Sequence, residues 1–430
     1  MTTVEPVYIV DGARTPFIKA ALKPNPLSAA SLAVAAAGPL LLKQPFSPKD
    51  LGEVVVGCVA PAPDEVNIGR IIALRLGCGD YVPGWTVQRN CASGLQAIDS
   101  AYKDIALGRH DLVLAGGTES MSRTPLLLPD EMVSLIAEMR SGKSLVQKLR
   151  TLLKVRPYYF KPVISLLKAL SDPVVNLSMG QTAEKLAYQF NITRNQADEF
   201  SLQSHTRALQ GIKAGHFSEI NPLFDFQGND IEYDNGIRSD TTLEKLAKLK
   251  PVFDKPYGLV TAGNSSQVSD GAAFVILANE KAVERFHLPI LGKIVKTTWS
   301  ALDPSVMGLG PAYAIAKLLE QENLTLDDID YFEINEAFAA QVLACLKALN
   351  SEEFCRQTLG LQEKVGQIPI DKLNVDGGAI AIGHPVGASG VRITLHLLKV
   401  MQRHHAKRGI ASMCIGGGQG GAILLERVEG

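Results

Sequence analysis

Cys91-Ala92-Ser93-Gly94 sets the reading of this chain, because a near-copy, Gly387-Ala388-Ser389-Gly390, recurs close to its other end. The likeness extends outward from both copies. After Cys91 comes a helical stretch, Leu95 to Leu107, then a strand-like run, Asp111 to Ala115, then Gly116-Gly117-Thr118. After Gly387 comes another helical stretch, Val391 to Arg403, then Ile410 to Ile415, then Gly416-Gly417-Gly418. The pattern predicts two related α/β halves with different functional residues at equivalent turns. The first copy carries a cysteine at its turn. The second carries His384 just before its turn and Cys414 just before its glycines. Such residues at helix heads and strand ends point to thiol chemistry where the halves meet.

A chain of 430 residues is too long for one ordinary core. Its hydrophobic share of 46% and charged share of 20% fit a soluble globular protein. A net charge of −1 gives no reason to expect a nucleic-acid surface, and no apolar run reaches the roughly 18 residues of a membrane span. Met1 to Pro6 is short and polar, and Val7-Tyr8-Ile9-Val10 already reads as a strand. No leader peptide is therefore expected, and a cytoplasmic location is. Cys58, Cys78, Cys91, Cys345, Cys355 and Cys414 include no CxxC pair, so no metal is expected and the thiols read as reduced.

Val7 to Val10, Ala29 to Leu42, Val54 to Val59 and Trp85 to Val87 alternate strand and helix, which predicts a mostly parallel sheet covered by helices. Ala272 to Leu277 reads as a further strand, reached after a charged, helix-rich excursion. These patterns divide the chain into a first half, 1–119 plus 261–284, an inserted domain, 120–260, and a second half, 285–430. In the second half Ile290 to Val295 and Tyr331 to Ile334 are strand-like, and Pro311 to Glu320 and Ala337 to Ala348 helical.

A thiol at a helix N-terminus feels the positive end of the dipole, which lowers its pKa. On residue type alone Cys91 reads more readily as a buried, inert thiol. His384 lies among Gly377-Gly378, Gly383, Pro385 and Gly387, on a constrained loop and not a helix face. The glycines Gly416 to Gly421 lead into another strand, Ala422 to Leu425, so a dinucleotide site is ruled out by context. Free N–H groups at Gly416, beyond Cys414, can hold an oxyanion. Asn335-Glu336 sits at a strand-to-helix junction and also reads as a helix cap.

Taken together, Asn90-Cys91-Ala92-Ser93-Gly94, Gly116-Gly117-Thr118-Glu119-Ser120-Met121-Ser122, Asn335-Glu336-Ala337-Phe338, Gly383-His384-Pro385 and Cys414-Ile415-Gly416-Gly417-Gly418 resemble the thiolase family. They fall in family order over nearly the whole chain, from Asp11-Gly12-Ala13-Arg14-Thr15-Pro16 onward. The resemblance implies a duplicated five-layer αβαβα fold with an inserted, mostly helical loop domain. It implies reversible Claisen chemistry on coenzyme A thioesters, with coenzyme A as substrate and no separate cofactor. Cys91 is then the acyl-carrying nucleophile, His384 its base and Cys414 the acid for the departing carbanion. Asn335, through water and with His384, faces one thioester oxygen, and the N–H groups of Cys91 and Gly416 face the other. Ser266 and Met179 match positions along the pantetheine arm and pocket, and Arg238 a contact to the nucleotide part. The expected reaction is thiolysis of 3-ketoacyl-CoA in fatty-acid oxidation; making or cleaving acetoacetyl-CoA is the alternative. A β-ketoacyl synthase shares the duplicated fold but uses two histidines where this chain has His384 and Cys414. A catalytically dead thiolase-like carrier is disfavoured because all four of these reactive positions are filled.

Two features depart from the short-chain pattern. Ser178 stands before Met179-Gly180, where many short-chain thiolases have histidine. From Ser141 to Ser171 there is no acidic residue, yet Lys143, Lys148, Arg150, Lys154, Arg156, Lys161 and Lys168 are basic. Leu145, Val146, Leu149, Leu152 and Leu153 form one apolar helical stripe, and Val163, Leu166, Leu167 and Leu170 another. A similar insertion occurs in the thiolase subunit of trifunctional fatty-acid oxidation complexes. Three readings follow for 143–168: a hairpin packed on its own domain, a contact to a hydratase–dehydrogenase partner, or a peripheral membrane contact. A homodimer or higher oligomer is expected, with preference for medium or long acyl chains.

Overall fold

The strands of the first half run in the order Gly84–Val87, Glu53–Gly57, Leu112–Ser120, Ser269–Ala278, Tyr8–Arg14. Those of the second run Tyr331–Ile334, Arg408–Ile415, Gln419–Glu426, Gly292–Ala301. This computed structural model describes residues 5–20, 26–224, 228 and 230–428, so residues 1–4 of the stretch used for the targeting reading lie outside the described residues. Among the described residues, the two sets of strands join only at one edge, where Tyr8 pairs with Lys293 and Ile9 with Gly292.

The sheet is mixed, not mostly parallel as the βαβα pattern suggests. Glu53–Gly57 runs parallel to both its neighbours, but Ser269–Ala278 returns antiparallel to Leu112–Ser120 after the insertion. In the second half a turn at Gly417 and Gly418, with φ +87° and +76°, reverses the chain between two antiparallel strands. Only glycine takes consecutive positive φ values without strain. The parallel bridge between Phe332 and Leu373 occupies the place that Gly84–Val87 holds in the first half.

Alternation along the strands builds the layers. In Leu112–Ser120, Val113 and Ala115 face the central core, and Leu112 and Leu114 face the outer one. Both faces are buried, so the run reads as continuously apolar. The helices Ser93–Ala106 and Ser389–Arg403 fill the centre with Leu95, Ile98, Ile393 and Leu397. Ala29–Leu42 covers the first sheet from outside. Gly310–Glu322 and Ala339–Leu349 cover the second. The result is helix, sheet, paired helices, sheet, helix.

The two tetrapeptides meet at the centre of this stack. A Cβ on Gly94 would sit 2.6 Å from the Gly387 carbonyl oxygen, and one on Gly390 would sit 2.5 Å from the Leu95 nitrogen. Side chains there would force the halves apart. Gly116 and Gly117 do not end their strand, as the repeat suggested; it runs on to Ser120. Their missing side chains instead admit the Phe274 ring and the Gly387 carbonyl.

A buried ion network ties the insertion to both halves. Arg14 meets Asp234 at 2.6 Å and Glu219 at 3.3 Å, and His396 lies 3.1 Å from both Glu219 and Asp376. The insertion's inner helices, Met179–Gln189 and Arg194–Lys213, are half-buried against the second half. Its outer part differs from the paired-stripe reading. Leu145–Leu152 is a helix, but Val163–Ile164 is a short strand beside Leu126–Leu127, followed by the helix Ser165–Ala169. No described helix is long and apolar enough to cross a membrane.

Candidate active site

Cys91 stands two residues before the first helical residue, Ser93. Asn90 holds φ +44°, in the left-handed region, and its side chain donates to the Gly416 carbonyl at 2.8 Å. Ser93 closes the turn: its hydroxyl donates to Asn90 O at 2.7 Å and accepts from Arg89 N at 2.9 Å. These bonds aim the Cys91 side chain into a cleft of about 900 Å³. The N–H groups of Gly416 and of Cys91 itself both act on the sulfur and favour its thiolate.

The expected lowering of the Cys91 pKa is not found. Burial comes first and pushes the thiol up, the two N–H groups only partly offset it, and the charge of Glu119 adds to the rise. The side chain is only half-buried by surface exposure, yet closely ringed by protein atoms, and the dipole of one helix end is the smaller effect. A thiolate at neutral pH therefore needs a base.

His384 has the state a base requires. Burial, helped by the charge of Arg392, holds it down at about 4, so it is neutral near pH 7. Its Nδ1 lies 2.6 Å from Ser389 Oγ, and that hydroxyl donates to Pro385 O at 2.9 Å. Nδ1 must then carry the proton, which makes Nε2 the acceptor. Nε2 faces Asn335 Nδ2 at 3.4 Å. Asn335 Oδ1 is buried without a protein partner among the described residues. The reading of the tetrapeptides missed Ser389, although it sits in the second one, because its role is visible only once the turn is folded.

Cys414 lies in Arg408–Ile415, only 1% exposed, among Ala183, Val260, Met307, Ala337 and Phe338. Burial first, and then the charge of Cys91, push its thiol well above its ordinary value, so it is protonated. Glu336 is not a helix cap. The helix starts at Ala339, and Glu336 turns back to accept from Ser204 at 2.7 Å, Asn374 at 2.8 Å and Ile380 N at 3.2 Å. It thereby fixes the segment that leads to His384 against the Asn335 turn.

The cleft brings together Cys91, Gly416 and Met179. A Cβ on Gly416 would lie 3.3 Å from Met179 Sδ. His384, Asn335, Cys414, Ser266 and Arg238 are outside its lining. Ser266 N–H donates to Ala337 O at 2.9 Å, and His384 N–H to Gln267 O at 3.2 Å, so the serine loop borders both the Asn335 and His384 turns. Gln267 also donates to Gly236 O at 2.9 Å, which brings the exposed Arg238 loop to the same region. Ser178 caps the helix Met179–Gln189 by accepting from Gln181 N at 3.3 Å, and so presents Met179 to the cleft.

This duplicated fold, with a thiol at one half's helix head and a second thiol at the other half's strand end, defines an acyltransferase site. The chain belongs to the thiolase family: the family's N-terminal domain matches residues 7–281 and its C-terminal domain residues 288–427. It is 38% identical to the mitochondrial trifunctional enzyme subunit beta of Bos taurus over 98% of this chain and 88% of that one. It is 34% identical to a 3-ketoacyl-CoA thiolase of Yersinia pestis over 98% of this chain and 96% of the relative. Among solved structures, Bacillus anthracis acetyl-CoA acetyltransferase matches with a TM-score of 0.86 at 36% identity, covering 100% of both chains. Human mitochondrial 3-ketoacyl-CoA thiolase in complex with CoA matches with 0.84 at 37%, also covering 100% of both.

Proposed function

We propose that the protein cleaves 3-ketoacyl-CoA with coenzyme A to acetyl-CoA and a shortened acyl-CoA, through an acyl group on Cys91, and needs no resident cofactor. The observation that carries this is the convergence of two N–H groups on the Cys91 sulfur at the floor of the cleft. His384 Nε2 takes the Cys91 proton, and the thiolate attacks the keto carbon. The C2–C3 bond breaks, its electron pair passes to the acetyl-CoA carbanion, and Cys414 supplies the proton. Coenzyme A then gives its proton to Cys414, attacks the acyl group and releases Cys91, which is reprotonated from His384. The N–H groups of Cys91 and Gly416 hold one oxyanion, each donor being worth about 3 kcal/mol. His384 and Asn335 polarise the other oxygen, and Ser266 and Arg238 flank the coenzyme A arm.

A preference for medium or long acyl chains over acetoacetyl-CoA is supported by the lining of the cleft. Its walls include Leu166, Leu167, Leu170, Val174 and Met179, contributed by the insertion. Burying each added methylene contributes about 0.8 kcal/mol. Across a ladder of 3-ketoacyl-CoA substrates, kcat/KM should rise from four to ten carbons. A strong preference for acetoacetyl-CoA would reject the chain-length reading and favour the acetyltransferase alternative.

The outer face of the insertion supports a peripheral contact with an anionic membrane surface. Leu145 is 80% exposed and Leu153 83%, so this stripe does not pack on its own domain. Around it stands the acid-free run of lysines and arginines, and each such charge near an anionic surface contributes about 1 kcal/mol. Replacing Lys148, Arg150 and Lys154 with glutamate should abolish binding to phosphatidylserine vesicles at low salt while leaving thiolysis of a short soluble substrate intact. The Lys154–Glu138 pair lost in that variant is exposed on both sides and of little consequence for stability. Unchanged vesicle binding would remove the membrane reading; lost binding to a hydratase–dehydrogenase subunit instead would assign the face to that partner.

A homodimer is supported by the edge strand Gly84–Val87, paired on one side with Glu53–Gly57, with Val66 and Tyr81 exposed nearby. A cytoplasmic location is supported by six unpaired cysteines and by relatives that include a bacterial thiolase.

A further inference from the structure

Among the described residues, two carboxylates line the Cys91 cleft. Asp172 only caps its own loop, accepting from Val174 N at 2.8 Å and Val175 N at 3.1 Å. Glu119, near the end of Leu112–Ser120, is different. It is 1% exposed and has no salt bridge among the described residues. Val59 N–H donates to its Oε2 at 2.9 Å and Ala60 N–H to Oε1 at 3.0 Å, and the Cys58 thiol lies 3.8 Å from Oε1. Opposite stands the turn after His384: a Cβ on Gly387 would be 2.8 Å from Glu119 Oε2, and the Gly387 N–H also acts on the carboxylate. The carboxylate therefore fills the seam between the first half's 58–60 loop and the turn that presents His384.

We propose that Glu119 is a positioning residue that holds this seam together and, through its charge, sets how readily the Cys91 thiol ionises. The proposal rests on Cys91 being the nucleophile. Among the described residues, the groups that face Glu119 include no cation that would neutralise it. Cys58 meets it from just beyond Glu53–Gly57, the neutral Gly271 pairs with it from the next strand and the Gly387 N–H reaches it from the His384 turn, while Cys91 lines the same cleft. Lys168 and Asp172 are the other charged residues in the cleft lining. Burial raises Glu119 to about 7 against the pull of the backbone N–H groups. Above that pH the carboxylate is charged and opposes a thiolate at Cys91; below it the neutral acid does not.

The test is iodoacetamide alkylation of Cys91, followed by mass of its peptide, in the wild type and in Glu119→Gln. This reads the thiol directly, so its outcome is separate from whether the acyl-transfer reaction proceeds. The variant should react at nearly the wild-type rate at about pH 6 and several-fold faster at about pH 8. A ratio that stays constant with pH would reduce Glu119 to a structural bond and overturn the proposal. Should the variant fail to fold, the wild type alone decides. A rate that climbs less than tenfold per pH unit between about pH 6 and 8 supports it, and a uniform tenfold climb contradicts it.

Discussion

Cys91→Ser should lower the rate of 3-ketoacyl-CoA thiolysis by about 10⁴-fold or more, the scale typical of losing a catalytic nucleophile. Serine keeps the size and the turn, including the Asn90 bond to Gly416. What it loses is acidity. The Cys91 thiol is already pushed up by burial, and His384, held at about 4, is a weak base. That pairing can ionise a thiol with the help of two N–H donors, but an alkoxide lies several pKa units further away. The variant should still bind coenzyme A with near wild-type affinity, because the proposed coenzyme A contacts, Ser266 and Arg238, stand outside the Cys91 cleft lining. Measured turnover within tenfold of the wild type would remove Cys91 from the nucleophile's role.

Cys414→Ala should separate the two halves of the reaction. Exchange of the acetyl-CoA methyl protons with deuterated solvent should fall by about 10²–10⁴-fold, the usual contribution of a positioned acid–base group. Acylation of Cys91 by acetyl-CoA should fall far less. The physical basis is the apolar pocket around Cys414, which keeps the thiol protonated until a carbanion arrives. Deletion of one sulfur from that pocket leaves Met307 and Phe338 in place, so the fold should hold. Normal proton exchange in a folded variant would assign the acid to another group.

The sequence carried more of this molecule in some places than in others. Tyr331–Ile334 and Ala29–Leu42 match their expected limits residue for residue, because each is a mainly apolar run bounded by polar or turn residues. The duplication was legible from two tetrapeptides, and the structure shows why both are built of small residues: they touch. Strand direction was not legible, since pairing of Ser269–Ala278 with Leu112–Ser120 depends on where the insertion returns the chain. The ionisation of Cys91 is hidden in the sequence for a similar reason. A helix end is a local feature visible in sequence, whereas burial and Glu119 reach the sulfur only through the fold. Ser389 and Glu336 show the same limit, as polar residues whose partners lie on turns distant in sequence or visible only after folding. The outer insertion was read correctly as basic and apolar, but its second stripe begins as a strand because Val163–Ile164 finds Leu126–Leu127 beside it.

The most direct test of the account is to mix the wild-type enzyme with 3-ketodecanoyl-CoA in the absence of added coenzyme A, quench, digest and weigh the peptides. Attack at the keto carbon leaves eight carbons on the enzyme, so the peptide holding Cys91 should gain an octanoyl group, with one acetyl-CoA released per label. An octanoyl label on the peptide holding Cys414, or acetyl-CoA released with no labelled cysteine, would contradict it.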